Sequence, residues 1–543
     1  MLVPELHDPV ADDGLDEGGL RRGGMLRTDM TPVQATRPSR RREAGDSSGL
    51  RRARIARFPV RMPSTLVPTW ALRAATRLGV IADDLTGAND TGVQFAKYGL
   101  RAMVVLDINS IDALANQADA VVIDTDSRWS DPRTAYNKVR AAAEVLKKAG
   151  ISTVYKKIDS TLRGNVGAEI DAVMDVLQAV VALVVPAFPA TGRVTVDGKQ
   201  LLRNVPLDKT EVASDLLSPV VESHVPTLLA RQTRRKVGHV SLEVVRAGVD
   251  ALQNAFQDRV RAGDQVIVVD ASEPADLRII ATAIASLDVM AITVGSAGLA
   301  AEIPGALEMV PRNEKRETTR GRRGALIIGG SVSPTAREQL EYAVACLELP
   351  AITISADDIL SGLDTEEGKT LEIVRKACSV LSKGQDLVLF LKPKEGLKSP
   401  RISPDAPARI GARTTSPSGE AALTTETEGH DTYDGPRSQT IPASRHVEDS
   451  RRITRYLGTL ASKILRVCNV AGLVLTGGDT AVAVCKALGA SGVALRDEIA
   501  PGVPSGRLVG GPYAGLMMVT KAGSFGDRDV IVRAIRYIRH DTG

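Results

Sequence analysis

Aromatic residues make up only 3% of this 543-residue chain, whereas hydrophobic residues of all kinds reach 43%. So few rings supply no stacking platform for bases, and a net charge of +4 is small for the length, so nucleic acid is not expected as a partner. Long apolar runs are also missing. None approaches the roughly 18 residues a membrane helix needs, and no membrane partner is expected. Cysteine is rare: Cys346, Cys378, Cys468 and Cys485 lack metal-ligand spacing. They read as reduced thiols of a cytoplasmic protein, not as a disulfide framework. The six histidines form no nucleophilic pattern with serine or cysteine. His7 lies in the N-terminal tail, His224, His239 and His540 are isolated, and His430 and His446 fall in a polar stretch. Neither a Walker-A loop nor a G-x-G-x-x-G fingerprint occurs. What remains is Val, Ile, Leu and Ala with 48 glycines, the mix of parallel sheets covered by helices.

Residues 1–76 differ from the rest. Asp12, Asp13, Asp16 and Glu17 precede Arg37, Arg40, Arg41, Arg42, Arg51 and Arg52, with prolines between. This stretch reads as a disordered basic extension. Its early acids argue against a mitochondrial transit peptide, and Met62 offers an alternative start. From Leu78 onward short aliphatic runs alternate with amphipathic helical patterns. Strands are expected near 78–82, 102–106, 119–124, 153–158, 180–185, 266–270 and 291–294. The charged stretch from Pro311 to Arg323 reads as a linker, and further strands are expected near 325–328, 351–354, 387–391, 472–475 and 516–519. The expected fold is α/β with two domains, residues 77–311 and 324–543, each a mainly parallel sheet flanked by helices. Within the second domain, 396–446 collapses into Ser, Thr, Pro, Gly and charges, and reads as a disordered insertion.

Two motifs in the first domain could carry chemistry. Ile81-Ala82-Asp83-Asp84-Leu85-Thr86-Gly87-Ala88-Asn89-Asp90-Thr91-Gly92 leads from a strand through two carboxylates into a helix. Ligands of open α/β sheets bind at the carboxyl ends of strands. There a carboxylate can accept a hydroxyl proton, hold magnesium, or cap the helix. In Lys156-Lys157-Ile158-Asp159-Ser160-Thr161-Leu162-Arg163-Gly164-Asn165, a strand delivers cations, hydroxyls and an amide to a helix N-terminus. That end favours an anion, with Lys157 or Arg163 as partners of a carboxylate. Asp124 to Arg128 and Pro186 to Arg193 end further strands with polar groups. The second half holds three glycine loops: Gly329-Gly330-Ser331, Gly477-Gly478-Asp479-Thr480 and Lys521-Ala522-Gly523. Each could be a plain tight turn, but three together point to a nucleotide.

In these segments the chain resembles the four-carbon acid sugar kinases, with matching motifs at 83–92, 157–165, 330–333, 476–481 and 521–526 in the family's order. The resemblance implies a sugar-acid-binding N-terminal domain and an ATP-binding C-terminal domain, with phosphoryl transfer across the cleft between them. It implies ATP and Mg2+ as cofactors, without naming metal ligands. Lys157 and Arg163 would hold the substrate carboxylate with Arg128 assisting, and Ser160 and Asn165 would line the same site. Asp84 would accept the proton of the terminal hydroxyl, with Asp83 and Asp159 as rivals. Gly477, Gly478, Asp479 and Thr480 would cradle phosphates, beside Ser331, Lys521 and Gly523. The motif versions look closer to the D-threonate and D-erythronate branch than to the 3-oxo-tetronate branch. A second copy of the chain, as a homodimer, is the one macromolecular partner this reading admits. Its rivals are a sugar-acid-binding regulator without catalysis and a nucleotide-dependent oxidoreductase.

Overall fold

Each expected aliphatic run is a strand in the computed structural model, which describes residues 77–541 apart from 215–217, 288, 312–322, 332, 362–366, 393–444 and 524. The 1–76 extension, most of the linker and nearly all of the 396–446 insertion lie outside the described residues. The last insertion residues, 445 and 446, open the helix Arg445–Val467.

The N-terminal half contributes β1 (Leu78–Ala82), β2 (Ala102–Val105), β3 (Ala120–Asp124), β4 (Thr153–Lys157) and β5 (Val181–Val185). It adds the short β6 (Arg193–Val196), β7 (Lys199–Leu202) and β8 (Val205–Pro206), then β9 (Val237–Val240), β10 (Val266–Val269) and β11 (Ala291–Gly295). The C-terminal half adds β12 (Leu326–Gly329), β13 (Ala351–Ser355), β14 (Leu387–Lys392), β15 (Gly472–Thr476), β16 (Gly492–Ala500), β17 (Val503–Val509) and β18 (Met517–Lys521). Eight strands of the first half run parallel in the order β2-β3-β1-β4-β11-β5-β10-β9. Five of the second half do the same as β13-β14-β12-β15-β18. β1, β5 and β15 are buried along their whole length, which is why they read as unbroken aliphatic runs.

The two parallel runs do not stay separate. β17 pairs antiparallel with β18, β16 with β17, and β16 with the outer edge of β2. One 15-stranded sheet results. An open edge on β2 would leave backbone N–H and C=O groups unpaired, and the β16–β17 hairpin satisfies them. The largest apolar cluster follows the sheet, drawing on Val80, Phe95 and Val104 of one half and Leu473, Leu495 and Met518 of the other.

One cysteine expectation needs correcting. Cys378 and Cys468 are disulfide-bonded, 90 residues apart in sequence, while Cys346 and Cys485 are free. Their Cα atoms stand 5.8 Å apart because the helix Glu367–Leu381 packs beside the end of the helix Arg445–Val467. Sequence spacing carries no trace of that contact.

Candidate active site

At the end of β1 the chain enters Asp83 and Asp84. Asp84 is extended and caps the helix Leu85–Tyr98, its Oδ1 accepting the Gly87 N–H at 2.7 Å. After β3 the turn that follows Asp124 folds back and places Arg128 between both carboxylates. Its Nε and Nη2 donate to Asp83 at 2.7 and 2.9 Å, and Nη1 and Nη2 donate to Asp84 at 2.5 and 2.9 Å. Arg128 is therefore occupied by protein carboxylates and forms the wall of the site instead of reaching for a ligand.

The pair does not titrate alike. Burial raises both carboxyls, but around Asp83 the Arg128 guanidinium, with Lys156 and Lys157, overcomes burial and holds it below its usual value. For Asp84, burial and the neighbouring Asp83 charge prevail over Arg128 and hold it above.

Successive strand residues face opposite sides of a sheet, and β4 turns its two lysines apart. Lys156 points into the core, where it pairs with buried Glu169 at 2.8 Å. Lys157 points the other way and lines the cleft. Its Nζ stands 2.8 Å from where a Cβ on Gly87 would sit. Among the described residues that amine makes no hydrogen bond or ion pair. Beyond β4, Asp159 accepts from Arg163 Nε at 2.5 Å and from the Thr161 hydroxyl at 2.6 Å. Against the effect of burial, Arg163 and Arg128 hold its carboxyl well below the usual range, which makes it a poor proton acceptor. Ser160 lines the cleft. Asn165 does not: its amide donates to the Ser127 and Ser130 carbonyls at 3.3 and 2.8 Å, pinning the turn that carries Arg128.

The three glycine loops all leave the carboxyl ends of parallel strands, β12, β15 and β18. They pack so closely that side chains are excluded. A Cβ on Gly330 would lie 2.0 Å from Thr480 Oγ1, and one on Gly478 would lie 2.6 Å from Thr86 Oγ1. The second contact joins the halves, because Thr86 follows the paired carboxylates. Gly477, Gly478, Asp479, Thr480, Ser331 and Gly523 accordingly share one cleft of about 300 Å3 with Asp84, Lys157, Asp159, Ser160 and Arg163. Lys521 stands behind it. Its buried amine donates to the Ala522 and Gly523 carbonyls at 2.8 and 2.9 Å, and burial pushes it down to about 8, so it braces the loop.

Asp90 and Phe188 also line the cleft, from segments the sequence marked without giving either residue a role, while Trp129, Ser450, Thr454 and Phe525 went unmarked. Asp90 was within reach, since it lies four residues after Thr86 on one helical face. Ser450 and Thr454 sit on the helix Arg445–Val467, where nothing in the motif set marked them.

Residues 78–303 match the family of sugar-binding N-terminal domains, and residues 402–531 match that of nucleotide-binding C-terminal domains. A D-threonate kinase from Salmonella typhimurium is 35% identical over 461 residues, covering 84% of this chain and 97% of that one. The chain belongs to the four-carbon acid sugar kinases. A D-erythronate kinase from Heliobacterium modesticaldum is 34% identical over 470 residues, 84% of this kinase and 96% of that one. A crystal structure from Salmonella typhimurium LT2, named there as a tRNA synthase, shares the fold with a TM-score of 0.65 at 23% identity. It covers 85% of this kinase and 99% of that chain. Phosphoryl transfer to a four-carbon sugar acid is thus the activity of this kinase, and among its described residues no helix is long and apolar enough to cross a membrane.

Proposed function

We propose that this kinase phosphorylates the terminal hydroxyl of D-threonate or D-erythronate, with ATP as donor and Mg2+ as the accompanying cation, in the cytoplasm. The observation that carries the reading is the shared cleft: an unpartnered buried cation on one side, three glycine loops on the other. Lys157 meets the substrate carboxylate, with Arg163 and Ser160 beside it. Arg128, Asp83 and Asn165 keep that wall in place. Residues 77–311 serve the sugar acid and 324–543 the nucleotide, although one sheet runs through both.

Backbone N–H groups at the start of the helix Gly478–Ala487 point at the phosphates, and the gap between Gly330, Gly477 and Gly523 lets them approach. Asp479 lines the cleft without a hydrogen bond or ion pair among the described residues. Burial, then the Asp126 and Asp84 charges, prevail over Arg128 and Arg451 and raise its carboxyl. That setting fits Mg2+, which takes one or two carboxylates and completes its shell with phosphate oxygens and water. Asp479 would hold the Mg2+, whose contribution would be to neutralise charge on the transferring phosphoryl group. Most of the remaining work is positioning.

ADP release, coupled to an optical readout, tests this with ATP, Mg2+ and a panel of D-threonate, D-erythronate, L-threonate and 3-oxo-tetronate. Turnover is expected with one of the first two acids. Preference for 3-oxo-tetronate would move the kinase to the alternative branch, and silence across the panel would reject the proposed acceptors. Light scattering on the same preparation reads whether it is a homodimer.

A further inference from the structure

Most acids of the cleft are already engaged. Arg128 holds Asp83 and Asp84, the Gly87 N–H takes a further lone pair of Asp84, and Arg163 with Thr161 holds Asp159. Asp90 is different. It lies on the helix Leu85–Tyr98, on the face that presents Thr86 and Gly87 to the cleft. The residue is 7% exposed, and its Oδ1 is buried with no hydrogen-bond partner. Its carboxylate makes no ion pair among the described residues. A buried charge left without a partner is costly, so such a group either keeps its proton or meets a donor when ligand arrives.

We propose that Asp90 takes the proton of the attacking hydroxyl, because it lines the cleft near Lys157 with a buried carboxylate oxygen that has no partner. The inference rests on the kinase reading above. In the step, the substrate O–H bond breaks and its proton goes to the Asp90 carboxylate. The freed electron pair forms the bond to the γ-phosphorus, the bond from that phosphorus to the bridging oxygen breaks, and ADP leaves with that pair. Asp479 stays with the phosphates and Asp84 stays with Arg128.

The surroundings suit the role. Facing Asp90 are Lys157 and Tyr155 from β4, Glu498 from β16, Arg193 from β6 and Asp84 at the start of its own helix. Burial first, then Glu498 and Asp84, prevail over Lys157 and Arg193 and raise its carboxyl to about 7. A base with that value is half-available at neutral pH and strong enough to receive a hydroxyl proton in the transition state.

The test compares wild type, Asp90→Asn, Asp90→Glu and Asp84→Asn by kcat and kcat/KM for the acid between pH 5.5 and 8.5. Wild-type kcat/KM should climb through an acidic limb near pH 7. Asp90→Asn should lose about 100- to 10,000-fold in kcat and lose the limb, with KM for ATP unchanged. Asp90→Glu should retain a limb at reduced kcat. Tm provides the second readout: the advantage of Asp90→Asn over wild type should grow from about pH 4 to about pH 7 and then level off, because between those values the unfolded wild type is ionised while the folded one keeps its proton. An active wild type whose Asp90→Asn variant keeps the limb would overturn the assignment alone, as would a limb that vanishes only in Asp84→Asn. Silence of wild type with every acid would remove the kinase substrate reading and the assignment with it.

Discussion

Lys156 and Lys157 are adjacent, identical and both buried, yet they do opposite things, and the difference comes from the two-residue period of a strand. Lys156 neutralises Glu169, which also accepts from the Ser127 hydroxyl at 2.6 Å. Replacing it by methionine leaves that carboxylate buried without a cation. Breaking one partner of a buried pair costs about 3–5 kcal/mol, so Lys156→Met should lower the urea midpoint strongly. Lys157 makes no ion pair, though its charge favours the neighbouring Asp83 carboxylate, so Lys157→Met should lower the midpoint far less than Lys156→Met. It should instead raise KM for the sugar acid about 10- to 200-fold, as loss of a charge-assisted contact of about 1.5–3 kcal/mol implies. A parallel rise in KM for ATP would show that Lys157 serves the phosphates instead. The sequence placed both lysines at the end of a strand. It also named Lys157 as the ligand-facing one, but that Lys156 turns inward to Glu169, a residue of the following helix, no spacing rule showed.

At the scale of elements, the strands that were legible are short runs dominated by aliphatic residues, several of them, such as β1, β5 and β15, buried along their whole length. β9, β16 and β17 were not. β16 carries Arg496, Asp497 and Glu498 through its middle and is only partly buried there, so it resembles a loop until β2 and β17 flank it. The glycine loops were legible as turns, but their mutual packing was not. Gly330 shows what that packing demands. A methyl group there would strike Thr480 Oγ1 at 2.0 Å and its Cγ2 at 2.9 Å, in a space set by the backbones of β12 and the helix Gly478–Ala487. Overpacking of this kind costs about 1–3 kcal/mol, and here it also moves the loops apart. Gly330→Ala should therefore raise KM for ATP and lower Tm, with KM for the sugar acid little changed. Thr480→Ala in the same chain should recover part of the stability, since it removes two of the three clashing atoms. Independent, additive effects of the two changes would show that the loops do not share this contact.

The whole molecule raises a question that neither half answers alone. Two halves with separate binding tasks could unfold separately, and chains of this length often do. Several features oppose it. The hairpin β16–β17 completes the edge of β2, Asn89 donates to Thr520 at 3.0 Å, and Glu498 receives Gln94 and Lys97 from the helix Leu85–Tyr98. Arg193 lies over the Phe525 ring at 5.3 Å, and the largest apolar core includes side chains of both halves. Melting either half would expose part of that core and leave a sheet edge open. One cooperative transition is expected. The chain has two tryptophans, so a Trp70→Phe background leaves Trp129, in the N-terminal half, as the fluorescent reporter. Its urea transition should coincide with loss of far-ultraviolet ellipticity from the whole chain. Adding ATP with Mg2+, which the proposed function assigns to the loops of the C-terminal half, should shift both midpoints equally, because a ligand of the native state stabilises everything that unfolds with its site. An ellipticity curve with a second step to which Trp129 is blind would mean that the continuous sheet does not couple the halves.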